Sequence, residues 1–247
     1  MTELTYQNLS YMELVNFACV GGSRAYGLQL PHSDIDLLIL SKDKRGHTNR
    51  DGYNLCYFTV DNFISWMTSN KGYLHSYQIL FPSQWMTNDK VSAYLQENRE
   101  EIVDANLQGM YNTLMSYFLI VKENAEVYYK IASKRVAYGL LYANAIYDHS
   151  CGKSFAECVC PQGQLHDVLL GIRNKEFDFD YVSSLLDECK TKAESVKLYY
   201  DKPILEKPLH EFSNLISSYN YMTYEEMREA GLLIEYKKQG GFYEISR

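Results

Sequence analysis

The chain reads as an α/β unit built on a small mixed sheet, followed by an α-helical bundle. Short apolar runs with strand character fill the N-terminal third, residues 15–20 and 35–40 being the clearest. From about Lys90 onward they give way to long stretches whose apolar residues recur at three- and four-residue steps. The change falls between Pro82 and Asn106, and divides the chain into segments 1–95 and 96–247.

Val15-Asn16-Phe17-Ala18-Cys19-Val20 is expected to form a buried strand that runs into a Gly21-Gly22-Ser23 turn. Glycine at such a turn lets the backbone approach a ligand closely, and the turn offers N–H groups and a hydroxyl to a phosphate chain. Ser33-Asp34-Ile35-Asp36-Leu37-Leu38-Ile39-Leu40 follows as a second strand. Residues two apart on a strand share a face, so Asp34 and Asp36 project side by side while Ile35 and Leu37 turn to the core. Two carboxylates held so closely repel unless a cation sits between them. Mg²⁺ takes oxygen ligands, a few of them carboxylates and the rest water and substrate phosphates. An Asp-x-Asp alone is ordinarily a solvated strand end; coupled to Gly-Ser at this spacing it points to phosphoryl or nucleotidyl transfer.

The later elements read in order. Residues 107–131, with Leu107, Met110, Leu114, Phe118 and Val121, predict one long helix. Residues 134–147 predict a second, buried on most sides, 163–173 a third and 180–199 a fourth. Pro203 and Pro208 suggest an extended linker. Thr223-Tyr224-Glu225-Glu226 is a capping-box pattern opening a short final helix that stops at Gly231.

Composition sets the bounds. At 247 residues and 46% hydrophobic content the chain can bury a full core. No apolar run reaches the roughly 20 residues that span a bilayer, and Met1-Thr2-Glu3-Leu4 lacks the start of a signal peptide, so a cytoplasmic protein with no membrane partner is expected. The net charge of −7 argues against an extended non-specific nucleic-acid surface. Lys42, Lys44, Arg45 and Arg50 against Asp43 nevertheless give net +3 between the second and third strands. That loop is either solvated or a local clamp for an acidic acceptor such as an RNA end. The six cysteines are scattered and do not resemble a disulfide framework. His149, Cys151, Cys158, Cys160 and His166 crowd one segment, but their spacing fits no regular zinc module and favours a reduced helix junction.

Gly22-Ser23, the spacer, and Asp34-Ile35-Asp36 before an apolar strand resemble the signature of the DNA polymerase β-like nucleotidyltransferase superfamily. The fuller string, Gly22-Ser23-Arg24-Ala25-Tyr26-Gly27 through Pro31-His32-Ser33-Asp34-Ile35-Asp36, is similar to the YcgL-type nucleotidyltransferases, some of which are associated with RNA ligases. Residues 53–67 and 69–81 resemble the family's third core strand, its following helix and its Gly-Asn-Pro to Glu-Leu-Leu-Phe stretch. Lys134-Arg135-Val136-Ala137-Tyr138 and Leu169-Leu170-Gly171-Ile172-Arg173 resemble helical segments of its second half.

The resemblance implies a nucleotidyltransferase domain followed by a helical domain that closes the nucleotide cleft, and transfer of an NMP from an NTP, by default ATP, with Mg²⁺ or Mn²⁺. Asp34 and Asp36 would bridge the metals, and Ser23 with the Gly22 backbone would hold the β and γ phosphates. A third carboxylate is expected on the next strand. Aligned on Phe63, that position reads Asn54, with Asp51 the nearest substitute and otherwise a turn residue in Asp51-Gly52. Gln78 stands where the family tends to have Glu. An amide can coordinate a metal but can neither neutralise it nor accept a proton, so either Asp51 fills in or the protein is slow, altered or inactive. Arg24 would contact phosphate, or cap and pack the turn; Tyr26 reads as packing.

A small sheet supplies one wall of such a cleft, and cationic or aromatic helix residues the other. Lys130, Lys134 and Arg135 are the candidates, Lys130 and Lys134 sharing a face if the helices are continuous there. Tyr138 on the same face is placed to stack on a base; the alternative is a core tyrosine, one of 23. Three functions stay open: transfer to an RNA end, adenylylation of a protein hydroxyl, and a weak or inactive nucleotide-binding sensor.

Overall fold

The computed structural model describes residues 17–43, 45–50, 53–81, 90–219, 221, 223–229, 236–239 and 242–245. Strand β1 (Ala18–Val20) leads into a single helical turn, α1 (Gly22–Ala25), and then β2 (Ile35–Ser41), β3 (Gly46–Arg50) and β4 (Tyr53–Thr59). The four strands form one mixed sheet in the order β1-β2-β4-β3. β1 lies antiparallel to β2, β2 parallel to β4, and β3 antiparallel to β4. The expected first strand is therefore present from Ala18; Val15 and Asn16 lie outside the described residues.

Period-two alternation sorts the sheet into two faces. Cys19, Leu38, Leu40, Cys56 and Phe58 join the large core shared with the helices, while Val20, Ile35, Leu37, Ile39, Leu55 and Tyr57 form a separate cluster on the other face. Asp36 and Asn54 sit at the end of the first set, where the helix-facing side opens.

Helix α2 (Val60–Thr68) starts at Thr59, whose hydroxyl accepts from the Asn62 N–H, and buries Phe63 and Met67. α3 (Leu74–Ile79) and α4 (Lys90–Ala105) follow. α4 runs through residues 95 and 96, and the apolar core is continuous from the sheet into the bundle.

The bundle comprises α5 (Leu107–Glu123), α6 (Ala125–Ile131), α7 (Ser133–Ser150), α8 (Phe155–Val159), α9 (Gly163–Asn174), α10 (Phe179–Ser195), α11 (Lys197–Tyr200), α12 (Glu206–Ser218) and α13 (Tyr224–Glu229). α7 is its centre: Val136, Ala137, Leu140, Leu141, Tyr142 and Ile146 are buried, and it packs on α5, α9 and α10. Strands β5 (Tyr236–Gln239) and β6 (Phe242–Ile245) pair antiparallel as a two-stranded sheet.

Three helical expectations are corrected. Residues 107–131 are two helices, parted at Asn124, whose side chain turns back to the Ile120 carbonyl at 2.9 Å. The segment 180–199 is likewise divided at Val196. Pro208 is no linker residue: it is third in α12, in the first turn, where backbone N–H groups have no intrahelical partner to lose. The capping box is present, with the Thr223 hydroxyl accepting from the Glu226 N–H at 3.1 Å and the Glu226 carboxylate from the Thr223 N–H at 2.6 Å. Gly231 lies outside the described residues. Among the described residues no helix is long and apolar enough to cross a membrane.

Candidate functional site

The Gly21-Gly22-Ser23 segment is locked to β2 by the Gly21 N–H, which donates to the Asp36 carbonyl at 2.8 Å. Gly22 then takes φ +59°, and a Cβ there would lie 1.8 Å from Asp36 Oδ2. Only glycine gives the turn both this left-handed conformation and contact with the carboxylate. Ser23, the second residue of the helical turn α1, is buried and accepts the Leu28 N–H on its carbonyl at 2.8 Å.

The residues before β2 are braced in turn. The Ser33 hydroxyl accepts from the Leu30 N–H at 2.8 Å, and Arg24 Nη2 donates to the Ser33 carbonyl at 3.3 Å. This fixes the approach to Asp34, which is exposed, and to Asp36, which is half-buried.

A cavity of about 490 Å³ opens above these groups. Ser23, Ser33, Asp34, Asp36 and Asn54 line it from the sheet side, and Lys134, Tyr138 and Arg173 from the helices. Asn54 stands opposite Asp36 in the parallel β2–β4 register, and its Nδ2 donates to Asp36 Oδ1 at 2.8 Å. Burial pushes the Tyr138 hydroxyl pKa up to about 12, with Arg173 and Ser23 acting in the opposite direction, so Tyr138 presents a neutral O–H.

The helical wall exists because two helix ends meet. The Ser133 hydroxyl at the start of α7 donates to the Arg173 carbonyl in the last turn of α9, at 2.8 Å. The Tyr129 hydroxyl donates to the Phe177 carbonyl at 2.6 Å just beyond. These anchors coincide with the interruption of the helix at Ala132, which separates α6 from α7.

That break decides the fate of the predicted cations. Lys134 lines the cavity. Lys130, on the other side of Ala132, pairs with Glu126 at 2.6 Å on an exposed surface, so the two lysines share no continuous helical face. Arg135 lies over the Tyr128 ring at 4.9 Å, away from the cavity lining. Arg24 braces the turn, one of the two roles left open for it, and is not among the lining residues. Asp51 lies outside the described residues, as do Lys44 and the side chain of Arg50 in the basic segment; Lys42 and Arg45 are exposed.

Gln78 is buried well away from solvent. Its Nε2 donates to the hydroxyls of Tyr26 and Tyr142, and its Oε1 lies 2.9 Å from His75 Nδ1. Tyr26 is buried too, with its ring 5.0 Å from those of Phe81 and Tyr138. The cysteine-histidine segment is spread over different neighbours: Cys160 and His166 reach the carbonyls of Ala25 and Gly27, while His149 stacks on Tyr200.

Sequence reasoning missed Arg173 as a site residue. The segment Leu169-Leu170-Gly171-Ile172-Arg173 resembles a helix of the family's second half, but nothing in it singles out the terminal cation. Among the described residues no group of three or more His, Cys, Asp or Glu side chains is placed to hold a metal ion together. Two carboxylates do suit one Mg²⁺, which is commonly held by one or two carboxylates plus substrate phosphates and water.

A comparison with curated proteins finds no match to the chain. Residues 7–103 match the family model described as a nucleotidyltransferase domain, a segment that contains the sheet, Ser23, Asp34, Asp36 and Asn54, and the match supports the nucleotidyltransferase superfamily for this part of the chain.

Proposed function

We propose that the protein is a metal-dependent nucleotidyltransferase that moves an NMP from an NTP, ATP by default, to a hydroxyl acceptor. The convergence of Ser23, Asp34 and Asp36 with Lys134 and Tyr138 on one cavity carries this reading. Residues 1–95 would supply the catalytic wall and 96–247 the wall that closes the cleft. The likeness to YcgL-type enzymes rests on the string from Gly22 to Asp36.

Asp34 and Asp36 would hold Mg²⁺ or Mn²⁺, which when bound neutralises phosphate charge and polarises the α-phosphate. Ser23 and the Gly22 backbone would bind the β and γ phosphates, Lys134 would neutralise them, and Tyr138 would stack on the base. The acceptor oxygen attacks the α-phosphorus, the α–β bridging P–O bond breaks, and pyrophosphate leaves. The hydroxyl proton passes to Asp51 or to water.

An RNA end is the acceptor we favour, on the strength of the exposed Lys42 and Arg45 between β2 and β3. One observation favours a second reading, a slow or inactive nucleotide sensor: the carboxamide of Asn54 occupies Asp36 Oδ1 at 2.8 Å where a third carboxylate would stand.

The test is incubation of the purified protein with each α-³²P-labelled NTP, Mg²⁺ or Mn²⁺ and a pool of cellular RNA and protein, with Asp36→Ala as control. Asp36-dependent label in RNA supports the favoured acceptor, and label in one protein band moves the assignment to adenylylation. Mg²⁺-dependent NTP binding without label selects the sensor. Unchanged NTP affinity in Asp36→Ala would sink the site assignment.

A further inference from the structure

Arg173 is the most buried charged side chain of the cavity, 9% exposed, in a protein whose other lining cation, Lys134, is exposed. Its Nη2 donates to Ser33 Oγ at 3.3 Å, while Nε and Nη1 are buried and meet no hydrogen-bond partner among the described residues. It forms no ion pair among them either. Removing a guanidinium from water costs several kcal/mol, and contacts to two neutral hydroxyls, those of Ser33 and Tyr138, do not offset it. The fold nonetheless fixes this residue: its carbonyl is held by Ser133, and the chain turns at once through the left-handed Lys175. The uncompensated charge faces the space between the sheet and the helices.

We propose that Arg173 is an anion-binding residue of this cavity, and that its ligand is the non-transferred phosphate chain of the nucleotide. A guanidinium offers a planar fork of donors matched to phosphate oxygens, and Arg173 has two N–H-bearing nitrogens to spare. Asp34 and Asp36 stand across the same cavity and suit the metal that such a chain carries, so a metal-bound polyphosphate satisfies both walls at once. Because Arg173 also holds Ser33, one residue before Asp34, the anion is sensed at the carboxylate turn as well as on the helices. The cavity thereby selects for phosphate number: a triphosphate reaches Arg173, and a monophosphate does not. The identity of the ligand rests on the nucleotide reading given above.

Isothermal titration of the full chain with ATP and AMP in Mg²⁺, and with tripolyphosphate, tests this in the wild type, Arg173→Gln, Arg173→Lys and Asp36→Ala. Arg173→Gln is expected to weaken ATP by about tenfold or more, the loss of one charge-assisted contact, and to leave AMP within about twofold. Arg173→Lys recovers part of the ATP affinity. Equal losses for ATP and AMP, or no loss for ATP, overturn the proposal while leaving the nucleotide site standing if Asp36→Ala still abolishes Mg²⁺-dependent binding. If Arg173→Gln fails to fold, Arg173→Lys decides by the same ATP-to-AMP ratio. If the wild type binds no nucleotide, the nucleotide reading fails by itself. Tripolyphosphate then settles the anion site, since binding that Arg173→Gln or Arg173→Lys weakens supports it and absence of binding ends it.

Discussion

Asn54 and Asp36 face one another in register on adjacent parallel strands, the Asn54 amide donating to Asp36 Oδ1 at 2.8 Å. The amide does part of what a cation does for paired carboxylates, holding Asp36 in place with a neutral donor. On the proposed function, it also occupies an oxygen that a metal would use.

Asn54→Asp trades that bond for a second carboxylate in the same place. Without metal the variant is expected to lose about 1–2 kcal/mol, from the lost hydrogen bond and like-charge contact. In millimolar Mg²⁺ its thermal midpoint is expected to rise by more than that of the wild type, and labelled transfer to increase. Thermal unfolding with and without Mg²⁺ checks the first part, and the α-³²P transfer assay the second. A Mg²⁺ shift no larger than the wild type's would refute it.

Gly22→Ala adds a methyl that would lie 1.8 Å from Asp36 Oδ2, at φ +59°. Strain and displacement together are expected to cost roughly 2–4 kcal/mol. Because the displaced atom belongs to Asp36, Mg²⁺-dependent nucleotide binding is expected to fail even below the unfolding transition. Urea denaturation alongside nucleotide titration separates the two effects.

Gln78 joins the Ala25–Gly27 turn region to α7 through Tyr26 and Tyr142, and this buried network has no solvent to replace a lost donor. Gln78→Leu is expected to destabilise by roughly 1–3 kcal/mol, since it removes a buried donor and leaves the Tyr26 and Tyr142 hydroxyls only their bond to each other, without touching the cavity lining. Tyr142→Phe, which removes one of those hydroxyls together with its need, is expected to cost less. Denaturant midpoints rank the two.

His75 lies on the far side of Gln78, with His47 beside it and Asp36 within electrostatic reach. Burial lowers its pKa from 6.5, His47 adds to that, and Gln78 and Asp36 oppose it. A histidine whose folded pKa is depressed leaves the unfolded chain binding more protons, so stability rises with pH through the window below 6.5. Its contribution is complete above that value and is lost as pH falls toward the folded pKa. Urea unfolding at pH 7.5 and 5.5 is expected to show a loss in the wild type that His75→Gln reduces.

The carboxylate end of the site was legible because its residues are local to one another. Gly22, Ser23, Asp34 and Asp36 lie within 15 residues; glycine's access to positive φ and strand alternation account for Gly22 and Asp36, whereas Asp34, expected on the strand, stands just before β2, which begins at Ile35. The strand-forming runs and the shift to helices were legible for the same reason, since hydrophobic period is a local property. Alignment on Phe63 also put Asn54 at the third position of the row, and the strand register places it opposite Asp36.

The helical wall was decided by tertiary structure. Whether Lys130 shares a face with Lys134 depends on the Ala132 break, and that break coincides with anchors to Arg173 and Phe177, some 40 residues away or more. Gln78 stands where the family tends to have Glu, and sequence cannot say which hydroxyls will surround it; in the fold its amide donates to two tyrosines, one from each side of the core. Arg173 gave no periodic or spacing signal, because its meaning lies in what it lacks: partners for a buried charge, which only the packed structure can remove. Sequence thus determined the chemistry of the sheet wall, through short-range backbone geometry. The fold alone determined which distant cation faces it, because that follows from where helix ends dock.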